Sequence, residues 1–205
     1  MDDFFSKIKK ILSSRQSNIV IDAKVKYEKE NILNRIQNTN YKSAAVLFPI
    51  IRVKNENKII FTTRSKDVLS HPGQVCFPGG RFDKKDKNMI ECAKREAYEE
   101  IGLESNKIDI LGILDNCITG TNYNVTPIVG YINEGFNPTI QESEVADIFE
   151  VPLSYFFNKK NRKLKNASYK NKKYTYYEYK WKNRKIWGST ARIIVNFCDI
   201  IENTK

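Results

Sequence analysis

The hydrophobic and polar positions of the 205-residue chain follow two periods, and each period predicts one kind of element. Apolar residues three and four apart predict helices at 3–13, 26–37, 90–101 and 189–201, with a short one leading to Phe157. Short apolar or β-branched runs predict strands at 44–51, 58–63, 108–114, 125–131 and 175–181, and another that ends at Phe77. This mixed order predicts an α/β layered fold in which helices cover a mixed sheet.

The segments between these elements indicate how the chain is organised. Asn55-Glu56-Asn57 is predicted to be the turn of a hairpin, and residues 158–173 a solvated loop or the tips of a hairpin. No repeat and no long linker is visible, so we expect a helical extension over 1–40 and one globular domain over 41–203. The amphipathic helix at 3–13 could lie on a membrane surface, but we favour packing on the domain or on a partner.

Composition limits the classes of function. The net charge of +11 suggests a polyanionic partner. The lysines are scattered among asparagines and isoleucines, however, so we favour a solvated surface and do not expect a nucleic-acid partner. The four cysteines form no CxxC pair, which argues against zinc and predicts buried reduced thiols. The acidic start is unlike a secretory signal, and no apolar run reaches the roughly eighteen residues of a membrane span. We therefore expect a cytoplasmic protein.

Three glutamates on one helical stripe carry the chemistry of the chain. Glu96, Glu99 and Glu100 are three and four positions apart, so their carboxylates repel one another. A divalent cation such as Mg²⁺ would remove that repulsion and leave positions open for substrate phosphates. Gly102 ends the helix, and the Gly79-Gly80 turn before it lets backbone approach an ion closely. The pattern predicts metal-assisted hydrolysis of a phosphorus–oxygen bond.

The turn and the helix together resemble the Nudix box, GX5EX7REUXEEXGU. The run Arg95-Glu96-Ala97-Tyr98-Glu99-Glu100-Ile101-Gly102-Leu103 matches its second half. The first half differs, because fourteen residues rather than thirteen separate Gly80 from Arg95, and Lys87 stands where the box has glutamate. A turn one residue longer, with an Asp-x-x-Asp element that Asp83 and Asp86 fit, resembles the coenzyme A diphosphatase group of Nudix enzymes.

Other segments resemble the same group, so the similarity runs from about residue 43 to residue 200. They are Thr63-Arg64-Ser65, His71 to Gly80, Val125 to Gly130, Glu144-Val145, Phe149 to Leu153 and Trp187 to Ala191. One position departs: members of the group often carry a basic residue where Leu69-Ser70 stands here. This departure bears on the substrate and not on the chemistry.

The resemblance implies an α/β/α sandwich with a mixed sheet and the catalytic helix lying across it. It implies that Glu96 and Glu100 are the principal ligands of Mg²⁺ or Mn²⁺. Glu99 would be a further ligand or would hold a metal-bound water, and it is a candidate catalytic residue. The Gly79 carbonyl is a plausible additional ligand.

The resemblance also suggests roles around the metal site. Arg95 would pair with a box glutamate and fix its orientation. The general base would be a carboxylate, either in the metal site or in the later loop with Glu142 and Glu144. Glu144 matches a position of the group and is the candidate there for a third metal contact or for the base. Arg64 could bind a substrate phosphate, and His71, the one histidine, is more consistent with a structural or substrate contact than with catalysis.

The expected activity is hydrolysis of a diphosphate in coenzyme A or its acyl or oxidised forms, giving adenosine 3′,5′-bisphosphate and 4′-phosphopantetheine or its acyl form. Two alternatives remain open. One is another nucleoside diphosphate derivative, such as ADP-ribose or a dinucleotide, and the other is a weakly catalytic module that binds nucleotides or RNA. The sequence leaves the oligomeric state open, including a homodimer.

Overall fold

The computed structural model describes residues 3–21, 24–25, 40–68, 70–133, 135–169 and 172–204. The helices in this part of the chain are α1 Asp3–Ser13, α2 Met89–Ile101, α3 Leu153–Phe157 and α4 Gly188–Asn203. The strands are β1 Ile19–Ile21, β2 Lys24–Val25, β3 Lys42–Val53, β4 Glu56–Arg64, β5 Val75–Cys76, β6 Gly79–Arg81, β7 Ile108–Ile113, β8 Asn116–Ile118, β9 Tyr123–Ile132, β10 Val145–Pro152, β11 Lys163–Tyr169, β12 Lys172–Trp181 and β13 Arg184–Trp187. The helix predicted at 26–37 and Leu69 lie outside the described residues.

The larger sheet is mixed, as the sequence predicts. Its central path runs β1-β8-β9-β3-β4-β10, with β5, β6 and β7 paired to β4, β3 and β9. β3 lies parallel to β9 and antiparallel to β4 and β6. Successive apolar residues of β3 enter cores on opposite faces, Leu47 on one and Phe48 on the other. Both faces of the sheet are therefore covered.

Helices cover the two faces in separate layers, which confirms the α/β/α sandwich. α2 buries Ala93, Ala97 and Ile101 in the core on one face. α1 and α4 lie over the opposite face, where Phe5 and Phe197 join Phe48 in the other core. The sheet thus separates α2 from α1 and α4.

The N-terminal helix is part of this packing, which confirms the preference for a helix packed on the domain. Leu12 of α1 lies so close to Gly112 of β7 that a Cβ on that glycine would be 2.4 Å from the Leu12 Cβ. Phe5 is 1% exposed, and its ring centre is 4.2 Å from that of Tyr131. None of the helices in the described residues combines the length and apolar character needed to cross a membrane.

The segment 158–173 contributes more structure than expected. A turn at Lys159–Asn161 leads into β11, which pairs along its whole length with β12. The prediction of a solvated loop is therefore wrong. The hairpin alternative is closer, but the segment contributes a full strand and not only the tip of a hairpin. β12 also pairs with β13 and β2 to form a second sheet. The buried ring of Tyr179 joins this sheet to the core beneath α4.

Two smaller expectations need correction. The β3–β4 turn is Lys54-Asn55, because Val53 pairs with Glu56 and both turn residues have positive φ, 49° and 65°. Positive φ at both positions is typical of two-residue hairpin turns, whose backbone twist matches the twist of the strands that they join. All four cysteines are free and three are buried, but Cys76 is only half-buried.

Candidate active site

The carboxylate helix α2 has well-defined ends. Asn88 precedes it in an extended conformation, and its side chain accepts the N–H of Glu91 at 3.0 Å. Gly102 follows it in the left-handed conformation, with φ of 69°, and donates to the Tyr98 carbonyl at 2.9 Å. These caps satisfy backbone groups that a helix end leaves unpaired. They fix which side chains face the glycine turn.

The Gly79-Gly80 turn lies directly against the carboxylates. Gly79 has φ of 154°, and a Cβ there would be 2.4 Å from the Ala45 carbonyl oxygen. A Cβ on Gly80 would be 2.4 Å from Oε2 of Glu96. The space that a side chain would fill at Gly80 is therefore occupied by the Glu96 carboxylate. Glycine is needed at both positions for different reasons. At Gly79 a side chain would clash with the backbone of β3, and at Gly80 it would displace the Glu96 carboxylate.

Glu100 is buried at the same turn. Its side chain accepts the Gly79 N–H at 3.2 Å, and the residue is only 3% exposed. The pKa of Glu100 is raised to about 8, mainly by burial and also by the nearby charges of Glu96 and Glu144, against the opposing effects of the Gly79 hydrogen bond and the charge of Arg64. Burial is also the main cause of the raised pKa of Glu96. Two carboxylates are thus held where negative charge is unfavourable without a cation.

Arg95 connects the helix to the turn that precedes it. Its Nε and Nη2 donate to the two carboxylate oxygens of Asp86, each at 2.9 Å. Its Nη1 donates to Glu96 at 2.9 Å and to Glu99 at 3.0 Å. The role suggested for Arg95, pairing with a box glutamate, agrees with these contacts.

Asp86 has a role that sequence reasoning did not identify. Lys87 occupies the position where the box has glutamate. The residue before it, Asp86, forms the two-point ion pair with Arg95 instead. Asp86 also accepts the N–H of Asp83 at 2.9 Å, so the longer turn is closed by its own aspartates. The Asp-x-x-Asp spacing was the available signal, but the partner of Asp86 depends on the folded turn.

The side chains around the turn fit a divalent cation in chemistry. Carboxylate oxygens and a backbone carbonyl are the donors that Mg²⁺ and Mn²⁺ prefer, and the Glu96 carboxylate fills the space that Gly80 leaves. Across the described residues, however, no group of three His, Cys, Asp or Glu side chains is arranged to hold a metal ion. Arg95 accounts for part of this, because its Nη1 bridges Glu96 and the half-exposed Glu99.

Glu144 reaches the site through a loop attached to the end of α2. The N–H groups of Thr139 and Gln141 donate to the carbonyls of Ile101 and Glu100, each at 3.0 Å. The Glu144 carbonyl then accepts the N–H of Ser65 at 2.8 Å. The exposed Glu144 side chain is close enough for its charge to raise the pKa of both Glu96 and Glu100. The loop therefore brings a fourth carboxylate to the turn.

Arg64 and His71 differ in position. Arg64 extends from β4 toward Glu100, where its charge lowers the pKa of that carboxyl, and its Nε donates to the Ser70 carbonyl at 3.0 Å. His71 lies in the exposed loop between β4 and β5 with φ of 57°, and its carbonyl accepts the Gln74 N–H at 3.2 Å. The structure thus brings Arg64 to the carboxylate cluster and places His71 in the neighbouring loop.

Comparisons with known proteins show what the chain is similar to. Residues 41–170 match the NUDIX domain model. An uncharacterized Nudix hydrolase NudL of Photorhabdus laumondii is 41% identical over 155 residues, covering 76% of this chain and 82% of that protein. The mouse peroxisomal coenzyme A diphosphatase NUDT7 is 28% identical over 186 residues, covering 88% of this chain and 79% of that protein.

A solved structure supports the fold. The crystal structure of a MutT/nudix family protein from Enterococcus faecalis superposes with a TM-score of 0.51 at 11% identity, covering 86% of this chain and 70% of that chain. At this identity the similarity concerns the fold alone. The family match, which spans the glycine turn, α2 and the Glu144 loop, shows that the chain belongs to the Nudix hydrolase family.

Proposed function

We propose that this Nudix hydrolase cleaves the diphosphate of coenzyme A or its acyl or oxidised forms in a reaction that depends on Mg²⁺ or Mn²⁺. Nudix hydrolases generally need divalent metal ions. The observation that carries the proposal is the meeting of the Glu96 and Glu100 carboxylates on the Gly79-Gly80 turn. Glu96 and Glu100 would hold the ion, with Glu99 and the Gly79 carbonyl as further ligands.

The proposed chemistry is hydrolysis of one phosphoanhydride bond. A bound divalent ion would supply positive charge that activates water and stabilises the charge developing on the departing phosphate. Glu144 would take a proton from the attacking water, whose oxygen forms a bond to one phosphorus while the bridging oxygen leaves with the other. Arg64 would bind a phosphate oxygen, and Arg95 would keep Glu96 and Glu99 oriented through its contacts to both.

The coenzyme A substrate rests on similarity to the coenzyme A diphosphatase group. The mouse protein named for this activity matches 88% of the chain, and the group's segments extend beyond the box itself. Adenosine 3′,5′-bisphosphate and 4′-phosphopantetheine, or its acyl form, would be the products. The domain boundary near residue 40, a cytoplasmic location and a homodimer remain predictions from the sequence.

A substrate panel tests this proposal. Coenzyme A, an acyl-coenzyme A, ADP-ribose, a diadenosine polyphosphate and an oxidised nucleotide should be assayed with Mg²⁺ and with Mn²⁺. We expect the highest kcat/KM on coenzyme A or its acyl form, with both expected products identified by mass. Preference for ADP-ribose or the dinucleotide would reject the substrate. Salt-dependent RNA binding without metal-dependent turnover would reject the enzyme assignment of this site.

Glu100→Gln tests the site itself. Loss of a metal-binding carboxylate removes several kcal/mol of charge stabilisation, so we expect kcat/KM to fall by about 1,000-fold or more. Glu91→Gln is the matched control, because Glu91 lies exposed in the first turn of the same helix, 3.9 Å from Lys94. Substantial activity in Glu100→Gln, with turnover intact in the control, would reject this assignment.

A further inference from the structure

Arg184 connects the smaller sheet to the edge of the larger one. Its Nη1 is 2.5 Å from Oδ2 of Asp147 and donates to Oγ1 of Thr63 at 3.4 Å. Its guanidinium also lies 4.1 Å from the centre of the Phe149 ring. One side chain of β13 therefore contacts both β4 and β10.

These contacts lie next to an irregularity in the β4–β10 pairing. Asp147 pairs with Thr63 and Val145 pairs with Arg64, so Ala146 is an extra residue in β10. Such a bulge interrupts the hydrogen-bonded ladder, and bulges beside active sites re-aim side chains. Arg184 binds both members of the Asp147–Thr63 pair, the one directly beside the bulge.

The chain on the other side of the bulge carries a candidate for the chemistry. Glu144 directly precedes Val145, and its carbonyl accepts the Ser65 N–H at 2.8 Å. The position of Glu144 therefore depends on how β4 and β10 are held together at the bulge. Arg184 comes from outside those two strands, and its side chain contacts both of them there.

Charge alone does not account for these contacts. The side chains of Arg184 and Asp147 are 31% and 43% exposed, and ion pairs at such exposure contribute about 1 kcal/mol or less. The planar guanidinium can instead contact the Phe149 ring through its face while its nitrogens bind Asp147 and Thr63. This arrangement fixes geometry more than it adds stability.

We propose that Arg184 is a positioning residue for the hydrolysis. Its side chain fixes the bulge at Ala146 and thereby orients Glu144 toward the reacting water. The inference rests on the proposed function, because Glu144 is the group through which Arg184 acts. Arg184→Ala should lower kcat by about tenfold with a smaller change in KM, since small misplacements of a catalytic group slow turnover strongly. Arg184→Lys should recover little of the lost kcat, because an ammonium group lacks the planar guanidinium that contacts the Phe149 ring and binds two partners at once.

A double-mutant cycle separates positioning from a general loss of structure. In a Glu144→Gln background, Arg184→Ala should cause little further loss of kcat. An equal loss in both backgrounds, or none in the wild-type background, would overturn the proposal. Lys185→Ala is the matched control, because the neighbouring Lys185 contacts Glu178 at 3.0 Å; its kcat should equal that of the wild type.

Amide exchange tests the geometry without any substrate. The Ser65 N–H, which donates to Glu144, should exchange about tenfold faster in Arg184→Ala, while the central β3–β9 amides exchange at wild-type rates. Unchanged Ser65 exchange would overturn the positioning role and leave the proposed function standing. Faster Ser65 exchange in a protein that hydrolyses no diphosphate would support the geometric role and reject the proposed function.

Discussion

At the scale of single residues, Gly80 offers the most direct test of the carboxylate arrangement. Gly80→Ala would put a Cβ 2.4 Å from Oε2 of Glu96, so the flexible carboxylate must move while the backbone stays. We expect kcat/KM to fall by about 100-fold, since misplacements of about 1 Å have such effects, with the melting temperature nearly unchanged. Gly120→Ala is the control, because nothing lies within 4 Å of its added Cβ. Equal activities would contradict the arrangement.

The Asp86–Arg95 pair predicts a dependence of stability on pH. The Arg95 hydrogen bonds are the main reason that the pKa of Asp86 falls from 3.8 to about 2. A carboxyl whose pKa is lower in the folded protein stabilises the fold above its unfolded pKa and loses that contribution as the pH falls through the folded value. Asp86→Asn should therefore lower the free energy of unfolding by about 2 kcal/mol near pH 6.

The same comparison at low pH completes the test. Urea unfolding should show the difference between wild type and Asp86→Asn shrinking between pH 4 and pH 2, the interval set by the two pKa values. Asp67→Asn is the control, because Asp67 is an exposed aspartate in the loop that follows β4. A difference that stays constant down to pH 2 would show that the charge of Asp86 is not the stabilising feature.

At the scale of elements, local pattern predicted most of what the structure shows. The helical stripe of α2, its glycine end and the long apolar strands β3 and β9 are visible in the sequence because each depends on neighbouring residues. β11 was not predicted, because its Lys- and Asn-rich sequence has little strand preference and is held by pairing with β12. The turn was predicted at Asn55-Glu56-Asn57 rather than at Lys54-Asn55, because turn position follows strand register.

The packing of α1, on the face of the sheet opposite α2, predicts that a cavity there lowers the free energy of unfolding. Phe5 is almost fully buried against Tyr131, so Phe5→Ala should leave a cavity and cost about 3–5 kcal/mol of unfolding free energy. Lys9→Ala, at an exposed position of the same helix, should change it by less than about 0.5 kcal/mol. Urea unfolding of both variants measures the difference. A cost below about 1 kcal/mol for Phe5→Ala would mean that α1 does not pack as described.

At the scale of the whole molecule, the site combines residues that sequence proximity cannot bring together. The glutamates of α2 and the Gly79-Gly80 turn could be found because one motif contains them. Glu144 is a candidate through the family resemblance, whereas the attachment of its loop to Ile101 and Glu100, through the N–H groups of Thr139 and Gln141, depends on backbone hydrogen bonds across the fold. The contacts of Arg184 with Thr63 and Asp147 span 121 and 37 positions, and no local pattern indicates them.

Stability of the whole protein should respond to the metal, because the glycine turn brings unfavourably buried carboxylates together. An ion that binds only the folded state stabilises it by about 2.7 kcal/mol at 100 times its Kd. For a chain of this size that corresponds to a rise in Tm of roughly 5–10 °C, which calorimetry with Mg²⁺ or Mn²⁺ would measure. Removing the metal with EDTA should reverse the rise.

Variants on α2 assign that response to the site. Glu96→Gln and Glu100→Gln should each remove most of the metal-dependent rise in Tm, because each loses an anionic oxygen at the Gly79-Gly80 turn. Glu91→Gln should keep the full rise, because its carboxylate pairs with Lys94 in the first turn. An equal rise in all three variants would place the ion elsewhere. If the wild type shows no rise even with a nucleotide analogue present, the hydrolytic proposal fails.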